Sequence, residues 1–594
     1  MLTPAPSQGA SADQRETYAR SLLEEPDSFA STAFSDFIDR AFHAWLGRLT
    51  GGLSPGGIAS AVFDWSAHLA LAPGKQMQLW HKAFKKTQRF QRFLAESALL
   101  SRDTPWAIDP LDHDKRFVGD EWQKLPFNMI AQAFLLQQQW WHAATTGVPG
   151  VSHDNERMVS FITRQLMDVF SPSNAPWLNP EVINTSWQQG GQNFMRGWQN
   201  ILEDMDAIRN QRRPAYQNTY EPGKDVAITA GKVVFRNALA ELIHYEPRQK
   251  NVAKEPILIV PAWIMKYYIL DLEPDTSLVR YLVEQGHDVY ILSWKNPNPE
   301  DRDVSLVDYM NDGVFAALDF INAPKTHLAG YCLGGTLAAI VSALMAREGD
   351  DRLASLTLLA GQVDFTEAGE LTLFIGESQV DFLEDIMWEQ GFLDTTQMAG
   401  AFQLLRSNDL IWSRLIREYL LGIRQPANAL MAWNADATRM PFQMHSDYLR
   451  EFFLKNSLAS GHYAIKGKPI SITDIRVPIF AVGTEKDHVA PWRSVYKIHL
   501  LSDTDVTFAL ASGGHNGGIV SPPGRKRAYY RIAKRLATDR YLDPDSWAQS
   551  ATYEAGSWWP AWSDWLHSHS SGLHQPDGQI NAVGTAPGAY VFAS

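Results

Sequence analysis

The chain of 594 residues holds one cysteine, Cys332. A single thiol excludes an intramolecular disulfide and fits a reducing cytosol. Basic charge is also scarce, with 53 Lys and Arg against 66 Asp and Glu and a formal net charge of −13. That balance argues against a nucleic-acid partner, because phosphate binding rests on clustered Lys and Arg, although it leaves room for a local basic patch. No stretch of 18 or more uncharged apolar residues occurs, so no transmembrane segment is expected. The opening MLTPAPSQGASADQRETYARSLLEEPDS lacks the apolar run of a secretory signal. These absences point to a cytoplasmic protein, or one attached to something by its surface.

What is present is an ordinary globular composition, 45% hydrophobic and 20% charged, with 21 Trp and 28 Phe. At roughly 150 residues per domain the length allows about four domains, and two main ones are expected because an α/β domain with insertions absorbs several of those units. Residues 1–28 are polar and rich in Pro, Ser and Glu, which reads as a disordered arm. Residues 29–220 read as a helical N-terminal domain. NMIAQAFLLQQQWWHAAT (128–145) and ERMVSFITRQLMDVFSP (156–172) place apolar residues at i, i+3, i+4 and i+7, and Pro172 closes the second run. Ten of the 21 Trp fall in this region. They either pack a helical core or form a surface that touches lipid-like material.

After the polar joint RNQRRPAYQNTYEPGKD (209–225) the texture changes, and residues 221–594 read as an α/β domain. Short β-branched runs, at 256–263, 288–294, 326–332, 355–361, 477–483 and 506–512, alternate with helix-like stretches such as 276–286 and 335–348. That alternation predicts βαβ units and a mostly parallel sheet. The helical, aromatic segment at about 366–470 interrupts it, as a lid inserted into an α/β core would, and 567–594 reads as a low-complexity tail.

The sharpest motif is Gly330-Tyr331-Cys332-Leu333-Gly334-Gly335, between the apolar strand THLAG and the helix TLAAIVSALMA. This is the G-x-nucleophile-x-G elbow of the α/β-hydrolase fold with Cys in place of Ser. Its glycines permit the tight strand-to-helix turn that lifts the nucleophile above the sheet, and the helix N-terminus favours negative charge there. In that fold the nucleophile is followed along the chain by an acid and then a histidine. Asp487, in TEKDH after the strand VPIFAVG, and His515, in GGHNGG after the strand VTFALAS, meet that order. His488 is a rival base and Asp364 a rival acid. An oxyanion hole needs two backbone N–H groups, and Leu333 and Trp263 are the candidates. A cysteine takes an acyl group from a thioester at nearly balanced free energy and then passes it downhill to an alcohol. No metal and no cofactor is called for.

From about Lys115 to the C-terminus the sequence resembles the polyhydroxyalkanoate synthases. The similar stretches include KRFVGDEW (115–122), SPSNAPWLNPE (171–181), MKYYILDLEPDTSLVRYLVEQGHDVYILSWKNP (265–297), GYCLGG (330–335), LLRSNDLIW (404–412), WNADATRMP (433–441), TEKDHVAPW (484–492), GGHNGGIVSPP (513–523) and GSWWPAW (556–562). The resemblance implies Cys332 as the acyl-accepting nucleophile, His515 as base and Asp487 as its partner, with Asp487 also assisting deprotonation of the incoming 3-hydroxyl. It further implies an (R)-3-hydroxyacyl-CoA substrate, a growing polyester chain, a polymer-granule surface and a homodimer. The chain departs from the family at Ala262-Trp263-Ile264-Met265, where smaller residues and Asn are usual, and at Asn516-Gly517-Gly518. Both stretches adjoin the site and bear on side-chain-length preference. A thioesterase or polyester hydrolase would use the same three residues, and a granule-coating protein with a vestigial site is the non-enzymatic reading.

Overall fold

A computed structural model of the chain describes residues 52–100, 106–111, 114–210, 220–395, 411–424, 426–576 and 581–593, with scattered positions between 39 and 50 and position 397. The arm expected at 1–28 lies outside these residues, as does most of LLRSNDLIW.

Strands β1 (Gly231–Arg236) and β2 (Ala240–Tyr245) open the α/β region as an antiparallel pair. The six apolar runs follow as β3 (Ile257–Val260), β4 (Val289–Trp294), β5 (Thr326–Tyr331), β6 (Leu353–Leu359), β7 (Ile479–Thr484) and β8 (Val506–Ala511). Then come β9 (Tyr529–Arg535), β10 (Thr552–Ala555) and β11 (Gly584–Thr585). They form one sheet of eleven strands in the order β10-β9-β8-β7-β6-β5-β3-β4-β2-β1-β11. The strands β3 to β8 pair parallel, and the strands added at either edge pair antiparallel.

The central strands are apolar throughout because both their faces are covered. Along β3, Leu258 and Val260 face one core and Ile257 and Ile259 the other, the period of two that a strand imposes.

In the N-terminal region the helices are α1 (Pro55–Ala70), α2 (Pro73–Leu100), α3 (Phe127–Thr145), α4 (His153–Val169), α5 (Pro180–Gln188) and α6 (Gln192–Arg209). Helix α4 is capped at its start by the Ser152 hydroxyl, which accepts from Asn155 N–H. Trp122 packs with Phe117 and Phe134 in a small core. The core-packing reading of the tryptophans fails for four others: Trp80, Trp177, Trp187 and Trp198 are 78%, 73%, 83% and 59% exposed.

In the α/β region, α7 (Leu278–Glu284) precedes β4 and α8 (Leu333–Glu348) follows β5. The chain between β6 and β7 leaves the sheet and returns to it. It holds α9 (Glu377–Gln390) and two π-helical turns, Leu415–Leu420 and Tyr448–Leu454. After β8 come α10 (His515–Ile519) and α11 (Trp559–Ser568).

The tail at 567–594 is more built than its composition suggests. Leu573 and His574 pair with Val252 and Ala253, and β11 pairs with β1. The buried Lys266 ammonium donates to the carbonyls of Val591 at 2.9 Å and Ala593 at 2.5 Å. No helix among the described residues is long and apolar enough to cross a membrane.

Candidate active site

The sheet delivers its chemistry at the carboxyl ends of β5, β7 and β8. Cys332 follows β5 directly, with φ +53° and ψ −121°. A β-carbon-bearing residue reaches that conformation only at a cost on the order of 1–3 kcal/mol, which the surroundings must impose. Its N–H donates to Leu359 O at 2.8 Å, and its carbonyl accepts from Gly335 N–H at 2.8 Å, tying the elbow to β6 and to the first turn of α8. The glycines allow this closeness. A β-carbon on Gly330 would stand 2.3 Å from Gly334 O, and one on Gly334 would stand 2.1 Å from Val260 O. The first turn of α8 therefore rests on the backbone at the end of β3.

His515 is the first residue of α10, and its Nδ1 lies 2.7 Å from Asp487 Oδ2. Asp487 Oδ1 accepts from Val489 N–H at 2.9 Å and Ala490 N–H at 2.8 Å, while Oδ2 also takes the Thr484 hydroxyl at 3.2 Å. The Asp487 side chain has no exposed surface and that of His515 is 11% exposed. Burial of the ring works against its charge. The Cys332 sulfur and the Asp487 carboxylate, by charge and by hydrogen bonding, outweigh it and raise the His515 pKa to about 10. The arrangement favours an imidazolium between a sulfur and a carboxylate. Two tryptophans brace α10 from behind: Trp558 Nε1 donates to Gly518 O and Trp559 Nε1 to Ile519 O, both at 2.9 Å.

Cys332, Asp487 and His515 are thus brought together, and the rival acid is placed otherwise. Asp364 accepts from Thr366 N–H at 2.9 Å and from Lys497 Nζ at 3.3 Å, as a turn-capping carboxylate. The histidine that meets the Asp487 carboxylate is His515, and the carbonyl of His488 accepts from Glu370 N–H at 3.2 Å.

The backbone N–H groups of Leu333 and Trp263 donate to no protein acceptor among the described residues. The Trp263 side chain is buried, stacked on Tyr309 at 4.3 Å and set against Trp294 at 5.7 Å. Pro261 O accepts from Trp294 Nε1 at 2.8 Å, which holds the loop that carries Trp263.

Three polar neighbours were given no catalytic role from the sequence. The Tyr331 hydroxyl donates to Asn516 Oδ1 at 2.6 Å, and its ring centre lies 5.7 Å from that of His515. Both Tyr331 and Asn516 adjoin residues that were identified, and adjacency was the available signal. Tyr448 reaches the site from the insertion, over a hundred positions from the elbow, with no motif to mark it. Burial, then the charge at Cys332, holds its phenol protonated.

Among known families, residues 113–282 match the model described as poly-beta-hydroxybutyrate polymerase (PhaC) N-terminus, and residues 33–75 match poly-beta-hydroxybutyrate polymerase N terminal. Residues 255–522 match the alpha/beta hydrolase fold. A poly(3-hydroxyalkanoate) polymerase of Methylorubrum extorquens is 40% identical over 495 residues, covering 82% of this chain and 81% of the relative. A poly(3-hydroxyalkanoate) polymerase subunit PhaC of Rhizobium meliloti is 33% identical, covering 96% of each chain. One of Cupriavidus necator is 30% identical, covering 99% of this chain and 100% of the relative. On this likeness over nearly its whole length, the chain belongs to the poly(3-hydroxyalkanoate) polymerase family of acyltransferases, on an α/β-hydrolase fold.

Proposed function

We propose that this chain polymerises (R)-3-hydroxyacyl groups from their CoA thioesters, with Cys332 as nucleophile, His515 as its proton partner and Asp487 orienting the histidine. The observation that carries the reading is a sole cysteine on a strained elbow, facing a histidine that a buried carboxylate holds at 2.7 Å. Its family membership supplies the substrate class.

The Cys332 sulfur, as thiolate, attacks the thioester carbonyl. The carbonyl oxygen takes up negative charge, which the N–H groups of Leu333 and Trp263 receive. The carbon–sulfur bond to CoA breaks, and CoA leaves as a thiol with the proton of the His515 imidazolium. The acyl group now sits on Cys332 as a new thioester. The 3-hydroxyl of the next unit attacks it while neutral His515 takes the hydroxyl proton. An ester bond forms, the bond to Cys332 breaks, and the thiolate–imidazolium pair is restored.

Asp487 acts through His515 in this scheme. Both its carboxylate oxygens are engaged and its side chain has no exposed surface, which leaves no place for a substrate hydroxyl. The growing polyester, its granule surface and a homodimeric state belong to the same reading.

The test is a purified-protein assay on (R)-3-hydroxyacyl-CoAs of increasing length, following CoA release and product mass together. Polymer with stoichiometric CoA supports the polymerase. Free hydroxy acid with CoA would assign a thioesterase instead.

A further inference from the structure

Among the described residues no hydrogen bond or ion pair joins the helical N-terminal region to Cys332, His515 or Asp487, yet this region grips the inserted lid, and beyond the His43–Asp385 pair at 2.7 Å two grips stand out. The first is the start of α9. Ser54 N–H donates to Gln379 Oε1 at 2.8 Å, Gln379 Nε2 donates back to Gly52 O at 2.6 Å, and Arg157 Nη2 donates to Thr372 Oγ1 at 2.7 Å.

The second is the π-helical turn Leu415–Leu420, which lies against α6. There one carboxylate collects three donors. Asp204 accepts from Arg414 Nη2 at 2.8 Å, from the Tyr419 hydroxyl at 2.8 Å and from Arg424 Nη1 at 3.0 Å. Asn193 Nδ2 donates to Leu420 O and Asn200 Nδ2 to Glu418 O, both at 2.8 Å. The backbones touch at Gly197, where a β-carbon would stand 1.8 Å from Tyr419 O.

Both grips continue to the nucleophile through the lid itself. Arg450, in the turn that begins with Tyr448, is bound to α9 through Glu384 at 2.7 Å and Asp381 at 2.6 Å. Tyr448 and Cys332 pack against one and the same apolar core. Beyond the second grip the chain runs from 426 to Thr438, which bonds to the backbone of Ile264 and Trp263.

We infer that the N-terminal helical region is the frame that holds the lid over Cys332, with Asp204 on α6 as its principal latch. Closed lids exclude water and complete a site, and their residence depends on the contacts that fasten them. Here those contacts come from a separate part of the chain, and four of the residues that supply them, Asn193, Gly197, Asn200 and Asp204, lie on one stripe of α6 at helical spacing.

Cys332, as the only thiol, reports on the lid directly. In the full-length chain without substrate, the rate of Cys332 alkylation by iodoacetamide is measured, together with hydrogen exchange of 411–424, 437–454 and β5–β8. Asp204→Asn removes the charge that fastens two arginines, and Gly197→Val forces α6 off the turn. Both are expected to raise alkylation about tenfold or more, the scale of losing charge-assisted hydrogen bonds. Exchange should rise at 437–454 as well as at 411–424, with the sheet unchanged. If either substitution unfolds the sheet, Asn200→Ala, which removes one hydrogen bond, is judged by the same criterion at a severalfold change. Alkylation within twofold of the parent, or faster exchange confined to 411–424, overturns the inference. This readout needs no acyl substrate, so it stands or fails apart from the polymerase reading.

Discussion

His515 Nδ1 stands 2.7 Å from Asp487 Oδ2, and each partner is fixed from its other side. Two backbone N–H groups and the Thr484 hydroxyl hold the carboxylate, and α10 with its tryptophan braces holds the ring. A ring pinned at Nδ1 has one nitrogen left to turn toward Cys332, which is the geometry a proton shuttle needs.

The two histidines near this loop should therefore separate on substitution. His515→Ala is expected to lower kcat by roughly 10²–10⁴-fold, the usual contribution of a positioned acid–base group. His488→Ala should stay within about tenfold of the parent, because no proton path in the scheme runs through it. Steady-state CoA release reads both, and the reverse ranking would remove His515 from its assigned role.

Gly334 should tolerate no side chain. An added β-carbon would meet Val260 O at 2.1 Å and the Pro261 carbonyl at 2.8 Å, both of them backbone atoms. Gly334→Ala must then push the elbow away from the loop that carries Trp263. A displacement near 1 Å in a reacting geometry costs on the order of 10²-fold in rate, while overpacking of this kind costs about 1–3 kcal/mol in stability. The expected variant is folded by circular dichroism and deficient in CoA release by that factor. Full activity would mean that the elbow and loop need not stay in register.

A second group of histidines, at the opposite end of the sheet, makes an acid-stability prediction. Burial, with neighbouring His567 and His327 adding to it, lowers the His287 pKa to about 3. Burial, opposed by Glu255 and reinforced by His569 and His567, lowers that of His327 to about 4. His287 Nε2 bonds to Ser563 Oγ at 2.9 Å and His327 Nε2 to Ser570 Oγ at 3.1 Å, so both fasten α11 and its continuation to the sheet. Above pH 6.5 folded and unfolded rings are both neutral and nothing is lost. Below it the unfolded ring takes a proton that the folded one refuses, so stability falls as pH drops toward the folded values. At about 1.4 kcal/mol per pKa unit, each ring costs on the order of 3 kcal/mol by pH 4. Urea midpoints at pH 7 and pH 4.5 for the parent and for His287→Gln/His327→Gln test this. The double variant should lose less on acidification, and an equal loss would show that these rings do not govern it.

Much of this site was legible in the sequence because buried parallel strands write continuous apolar runs. All six central strands were placed to within a few residues, and GYCLGG, TEKDH and GGHNGG each follow one of them. The edge strands were not legible. β10 is exposed at all four positions, and β9 reads YYRIAKR, which shows neither alternation nor a continuous apolar run. The tail hid its structure for a related reason. Lys266, Glu241 and β1 hold it from outside, and its own composition carries no sign of them. The sequence did not tell the four exposed tryptophans of the N-terminal region from the packed ones, because helical spacing shows that residues share a face but not whether that face is covered. Tyr448 and the α6 latch depend on contacts between distant segments, which spacing along the chain does not encode.

If Cys332 carries the growing acyl chain, the mass of the protein changes during turnover. The parent and Cys332→Ala are mixed with (R)-3-hydroxybutyryl-CoA, quenched in acid within the first turnovers, digested, and read by mass spectrometry. One or more hydroxyacyl units are expected on the peptide that contains Cys332, labile to hydroxylamine as a thioester is. Cys332→Ala should show none and should release no CoA. Turnover in Cys332→Ala, or an adduct on any other residue of the parent, would contradict Cys332 as the carrier.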